Sequence, residues 1–133
     1  MSGFFASLAM FAIYFVGAAG LCLIYALVYL RLTPHDEFRL LTQEHNASAA
    51  IALGGSVVGF AIALAAAIRE THGLLEFLVW GVTALLSQIV AYFVAQLGYP
   101  DMSKAIASNA VAAAIWLASV SIASGVITAA CMT

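Results

Sequence analysis

Four uninterrupted apolar runs limit what this chain can become. They cover about Phe4 to Leu30, Asn46 to Ile68, Leu74 to Leu97 and Asn109 to Met132, with short polar segments between them. Each exceeds the ~20 residues that cross ~30 Å of hydrocarbon at ~1.5 Å per residue. The runs are uniformly apolar, whereas barrel strands would alternate polar and apolar residues, and a helix closes its own backbone hydrogen bonds in lipid. The chain is therefore read as all-α, a polytopic membrane protein whose four transmembrane helices form one domain over residues 1–133. With 65% hydrophobic and only 8% charged residues, a water-solvated globular domain is excluded.

The first run has no basic residue before it, is too long for the core of a secretory signal and ends without a small-x-small cleavage site, so it is expected to stay as a span. Cys22 falls inside the first span and Cys131 at the end of the fourth, and they are read as packing residues with no disulfide implied. An even number of spans puts both termini on one side. Arg31, Arg39 and Lys104 flank the two longer loops, against Arg69 alone in the short turn. The positive-inside rule then makes the loops 31–45 and 98–108 cytoplasmic and puts the termini on the outer side of the membrane.

The phrase "NASAAIALGGSV" starting at Asn46 returns as "NAVAAAIWLASV" starting at Asn109. Aligning the two asparagines pairs Ser56 and Val57 with Ser119 and Val120, and one inserted residue also pairs Ile51 and Leu53 with Ile115 and Leu117. The chain reads as a duplicated two-helix hairpin, repeat 1 about 4–68 and repeat 2 about 74–132. Two like-oriented copies are related by an axis along the membrane normal. Asn46 and Asn109 each open a second span, where the first turn has backbone N–H groups without partners. An asparagine side chain accepts from them, which makes a helix cap the expected role of both, with a polar cytoplasmic mouth as the functional alternative.

Small residues recur four apart in the second and fourth spans: Ala50 and Gly54, then Gly55, Gly59 and Ala63, with Ala114 and Ala118, then Ser121 and Gly125, in the partner. Small side chains let helix backbones approach closely in lipid, so Gly54, Gly55, Gly59, Ser121 and Gly125 are expected to pack the centre. The first and third spans, which carry Phe4, Phe5, Phe11, Tyr14, Phe15, Phe77, Trp80, Tyr92 and Phe93, are expected to face lipid. Tyr25 and Tyr29 suit an interfacial belt.

The polar stretch "RLTPHDEFRLLTQEH" predicts a short interfacial helix with Thr33 as cap and Pro34 at its first position. His35, Asp36, Glu37, Glu44 and His45 could make an acidic mouth that holds a cation, although their spacing matches no metal motif, so no metal and no cofactor are assigned. No Asp, Lys or Arg lies within the spans, which argues against proton relays, voltage sensing and intramembrane proteolysis. Gln88 is the strongly hydrogen-bonding side chain near a midplane, expected to bond between helices. Ser121, Ser124 and Thr128 share one side of the fourth span. Phosphate loops, nucleophile constellations and basic nucleic-acid patches are absent, so an enzyme is not expected and nucleic acid is not a partner.

Together "LTPHDEFRLL", "HNASAAIALGGSVVGF" and "TAACMT" resemble the YjfL-type bacterial inner-membrane family, domain of unknown function 350, over essentially the whole chain. Its pattern falls on Thr33, Pro34, Asp36, Glu37, Asn46, Ala50, Gly54, Gly55, Gly59, Asn109 and Ala110, with Glu44-His45 where a Gly or Asn often precedes the asparagine. The resemblance implies a four-span plasma-membrane protein, and an association with envelope stress and membrane maintenance. The expected function is that of a membrane-embedded interaction or scaffold component, in contact with the lipid bilayer, a homo-oligomer and a cytoplasmic protein bound at the 31–45 loop. The alternative is a small channel or transporter for a cation or small solute.

Overall fold

The structure, a computed structural model, describes residues 2–33 and 37–132. Its elements are α1 (Ser2–Leu32), α2 (Glu37–Thr42), α3 (Ala47–Glu70), α4 (Leu74–Gly98), α5 (Met102–Ala107) and α6 (Val111–Cys131). The helices Gly3–Leu32, Ala47–Glu70, Leu74–Gly98 and Val111–Cys131 are long and apolar enough to cross a membrane. The short α2 and α5 sit in the two connections at one end of the bundle, which we call the loop end. The Thr71 to Gly73 turn marks the other.

Local chemistry sets the boundaries. At the end of α3 the backbone N–H and hydroxyl of Thr71 both donate to the Ala67 carbonyl, at 3.2 and 2.6 Å. At the end of α4 the Tyr99 N–H donates to Ala95, and Pro100, with no N–H of its own, stops the helix. Pro34, expected at the first position of α2, lies outside the described residues, and the described part of α2 runs from Glu37 to Thr42. The Thr33 hydroxyl donates back to the Leu30 carbonyl at 3.1 Å, finishing α1.

The centre of the bundle is the parallel pair α3 and α6. A methyl group built on Gly55 would overlap Ala118, one on Gly59 would overlap the Ser121 carbonyl, and one on Gly125 would overlap the Gly59 carbonyl. Ala52, Ala63, Ala113 and Ala114 are fully buried around this crossing. Backbones in contact maximise dispersion between helices whose side chains gain little by leaving lipid. Gly54 corrects the expectation for this face: it is exposed, and nothing lies within 4 Å of a methyl group built there. One residue before Gly55, it is turned by about 100° around a helix with 3.6 residues per turn.

The aromatic residues divide in a way the sequence did not predict. Phe4, Phe5, Phe11, Phe15, Trp80 and Phe93 are exposed as expected, but Tyr25, Tyr29, Phe77 and Tyr92 are at most 2% exposed. Tyr25 packs on Phe60 with ring centroids 5.0 Å apart, Tyr29 on Tyr92 at 5.9 Å, and Tyr14 on Phe77 at 5.4 Å. The reason is volume: alanine-rich surfaces of α3 and α6 leave hollows that must be filled to the density of a protein interior, and rings from α1 and α4 fill them. Tyr29, Tyr92, Met102, Ile106 and Leu117 form the loop-end core, and Leu21, Tyr25, Phe60, Leu64 and Phe77 the other half.

Candidate functional site

The polar junction at the loop end begins with two residues in the left-handed region. Among the described residues other than glycine, only His45 (φ 52°) and Asn109 (φ 65°) have positive φ. Asn109 closes α5: its N–H donates to Ile106 at 3.0 Å and the next N–H, of Ala110, to Ala105 at 2.8 Å. This pairing is the Schellman motif, in which the left-handed position takes glycine or asparagine.

That turn reassigns the second asparagine. The cap of α6 is Ala110, which has no side-chain cap bond. Asn109 instead reaches the start of α3, where its Oδ1 accepts from the Ser48 N–H at 3.1 Å and the Ser48 hydroxyl at 2.8 Å. Asn46 is the cap of α3, with Oδ1 accepting from the Ala49 N–H at 3.0 Å. Its Nδ2 donates to the Ile106 and Ala107 carbonyls, both at 3.2 Å. Both amides therefore serve the start of α3, and one also satisfies the end of α5. In backbone conformation Asn46 (φ −74°, ψ 108°) matches Ala110 (φ −80°, ψ 100°), and His45 matches Asn109.

Around this joint lies a cleft of about 270 Å³ lined by Leu40, Glu44, His45, Asn46, Ala107, Ser108 and Asn109. Glu44 and His45 are exposed at its rim. His35 and Asp36 lie outside the described residues, and Glu37 is the first residue of α2. Among the described residues no three His, Cys, Asp or Glu side chains gather as metal ligands would. Both atoms of the Asn46 amide are engaged with backbone groups and Asn109 Oδ1 with the Ser48 N–H and hydroxyl, so these bonds act as a mechanical joint that fixes α5 to the start of α3.

The two roles of Asn109 separate by substitution. Asn109→Gly keeps the left-handed turn and loses the Ser48 contacts, a cost of about 1 kcal/mol. Asn109→Ala adds roughly 1–2 kcal/mol for forcing an alanine into that conformation. Thermal unfolding in detergent should rank wild type, glycine variant and alanine variant in that order, and equal glycine and alanine variants would remove the conformational role.

A second polar group lies near mid-bundle. Ten residues below Asn46, about 15 Å along a helix, Ser56 donates to the Ala52 carbonyl at 2.8 Å. Its hydroxyl lies 3.4 Å from that of Ser121. Gln88 reaches across from α4, its Nε2 donating to the Ser121 carbonyl at 3.2 Å. Ser124 and Thr128 stand apart from this group, facing Thr83 and Ser87 across an open groove of about 630 Å³ between α4 and α6.

Three residues that sequence reasoning missed belong to these sites. Ser48 takes both Asn109 bonds. Trp116 lies over Gly98 and donates from Nε1 to the Ala95 carbonyl at 2.9 Å, satisfying an acceptor at the end of α4. Ser103 lies 3.3 Å from the Tyr92 hydroxyl. Only Tyr25, Tyr29 and Thr33, spaced four apart on one face of α1, carried an available signal for a buried hydroxyl stripe.

Comparison with known proteins agrees with this architecture. The "UPF0719 inner membrane protein YjfL" of Escherichia coli (strain K12) is 30% identical over 127 residues, covering 96% of each chain, and the protein of the same name from Escherichia coli O157:H7 is equally similar. No solved structure matches. The family model described as Domain of Unknown Function (DUF350) matches residues 3–132. By that match along nearly its whole length, and by its four apolar helices, the chain belongs to the DUF350 family and is an integral, multi-pass inner-membrane protein.

Proposed function

We propose that this chain is a non-enzymatic, membrane-embedded interaction component that holds a cytoplasmic protein at its loop end and contributes to envelope maintenance. The observation that supports this reading is the solid centre: α3 and α6 approach so closely at Gly55, Gly59 and Gly125 that not even a methyl group fits between them. A solute path along the middle of one chain would have to separate these backbones. The features left for recognition are the loop end, held to the bundle by Asn46, and the apolar outer faces, including the α4–α6 groove where a second copy of the chain would lie. The excess of basic residues in the two longer connections supports a cytoplasmic loop end.

Two measurements test the reading. Asp36→Ala with Glu37→Ala is expected to abolish co-purification of the partner after crosslinking in cells while membrane insertion is kept, and undiminished capture would count against the loop as the binding site. Liposomes containing verified, inserted protein are expected to pass monovalent cations and small neutral solutes no faster than empty ones. Flux above that background would establish the channel alternative instead.

A further inference from the structure

Three of the four spanning helices stop at one level at the turn end. α3 ends at Glu70, α4 begins at Leu74 and α6 ends at Cys131. Ala67, Glu70, Glu76, Trp80 and Met132, from all three helix ends, line one cavity of about 160 Å³. Arg69, Glu70, His72 and Glu76 gather at this level, which marks it as the edge of the hydrocarbon, because charged side chains are expensive inside it.

α1 alone continues past this edge. It runs beside α4 in constant register: the Tyr14 and Phe77 ring centroids are 5.4 Å apart, and four turns further on those of Tyr29 and Tyr92 are 5.9 Å apart. Phe11 is then level with Leu74, the first residue of α4, so Ser2–Met10 project beyond the bundle by about 13 Å at ~1.5 Å per residue. Residues 11–32 already cross the ~30 Å of hydrocarbon, and the headgroup layer adds only ~5–7 Å on one side. Tilting α1 alone would break its register with α4, and drawing the bundle inward would bury Arg69, Glu70 and His72. Yet the projecting arm carries no charge, and every residue from Gly3 to Ile13 is exposed. Phe4, Leu8 and Phe11 are 63%, 51% and 64% exposed. An apolar surface of this kind raised out of lipid marks a protein contact.

We propose that this arm is a dimerisation element, in which two copies of the chain pair their α1 helices in parallel along Phe4, Leu8, Phe11 and Phe15. Alternating steps of four and three residues make the d-a-d-a seam of a left-handed helix pair, which keeps facing its partner along the whole arm. Copies inserted in the same orientation raise this seam to the same height, so each residue meets its own counterpart, as a two-fold contact requires. The seam is also free of its own bundle. Phe15 is turned by about 100° from Tyr14, whose ring packs on Phe77, and it stacks on Phe11 at 5.7 Å to form one continuous face. With no charged or polar side chain to select a different protein, the seam matches itself in length, height and chemistry. The contact engages neither the loop end nor the α4–α6 groove, so it goes beyond the interaction role and does not depend on it.

The test is disulfide crosslinking of the full chain in liposomes, with Cys22→Ser and Cys131→Ser removing the native thiols. After mild oxidation Phe11→Cys should run mainly as a thiol-reversible dimer, whereas Ala6→Cys, on the opposite side of the arm, should stay monomeric. Adding Leu8→Lys to Phe11→Cys should abolish the dimer band. Equal crosslinking at positions 6 and 11 would signal random collision and overturn the seam. A Phe11→Cys chain that stays monomeric would overturn the proposal, and shielding of its thiol from a water-soluble maleimide would then assign the arm to lipid or to a different protein. Wild-type protein released from nanodiscs of the same lipids should have the mass of two copies, and the mass of one would overturn the proposal without any variant having to fold.

Discussion

Gly59→Val is expected to cost more than about 3 kcal/mol, above the usual range for overpacking, and to leave little folded protein in detergent. The added carbon would meet the Ser121 carbonyl, which belongs to the backbone of α6 and cannot move aside by changing rotamer. The same substitution at Gly54 is the control. With open space around it and no strained backbone to preserve, Gly54→Val should stay within about 0.5 kcal/mol of wild type. Fluorescence-detected thermal unfolding of the two variants side by side is sufficient. Equal losses at both positions would mean that the α3–α6 crossing is not where the bundle is tightest.

The second large effect is expected at Asn46. Asn46→Ala removes the cap of α3, worth ~1 kcal/mol, and two bonds to α5 carbonyls at about 0.5–1.5 kcal/mol each, for a total near 3 kcal/mol. Asn46→Asp separates these contributions. A carboxylate still accepts from the Ala49 N–H and suits a helix N-terminus, but it turns an acceptor toward the Ile106 and Ala107 carbonyls where a donor stood. The aspartate variant should therefore recover no more than the cap. If it melts with wild type, the link between α3 and α5 contributes nothing to stability.

The spans were legible because the cost of exposing backbone in lipid leaves few alternatives, so a run such as Leu74 to Leu97 has essentially one structure available to it. The boundaries agree to within two residues, with α3 at Ala47–Glu70 against the expected Asn46 to Ile68. Close packing at Gly55, Gly59 and Gly125 was legible for a similar reason, since spacing of four residues in a helix defines a face before any partner is known. Gly54 was misplaced because two overlapping small-residue series, one residue apart, point to different faces, and only the position of α6 selects between them.

Less of the polar chemistry could be read. Asn46 and Asn109 stand in nearly identical phrases, yet one caps its own helix and the other ends the preceding helix and caps a distant one. The difference lies in a backbone turn at φ 65°, which depends on α5, and α5 gave no sequence signal that was recognised. Tyr25 and Tyr29 were read as belt residues because a tyrosine near a span end suits an interface as well as a hollow between alanines.

What the amino-acid sequence determined by itself was the solvent, the number of spans and the helices with surfaces small enough to touch, because each follows from the free energy of placing single residues or single helix faces in lipid. What only the tertiary structure decided was which amide serves which helix end, which rings turn inward, and that Gln88 is left holding an unpaired oxygen in the middle of the bundle. Those outcomes depend on groups brought together from distant parts of the chain, and their partners exist only once α3 and α6 have met.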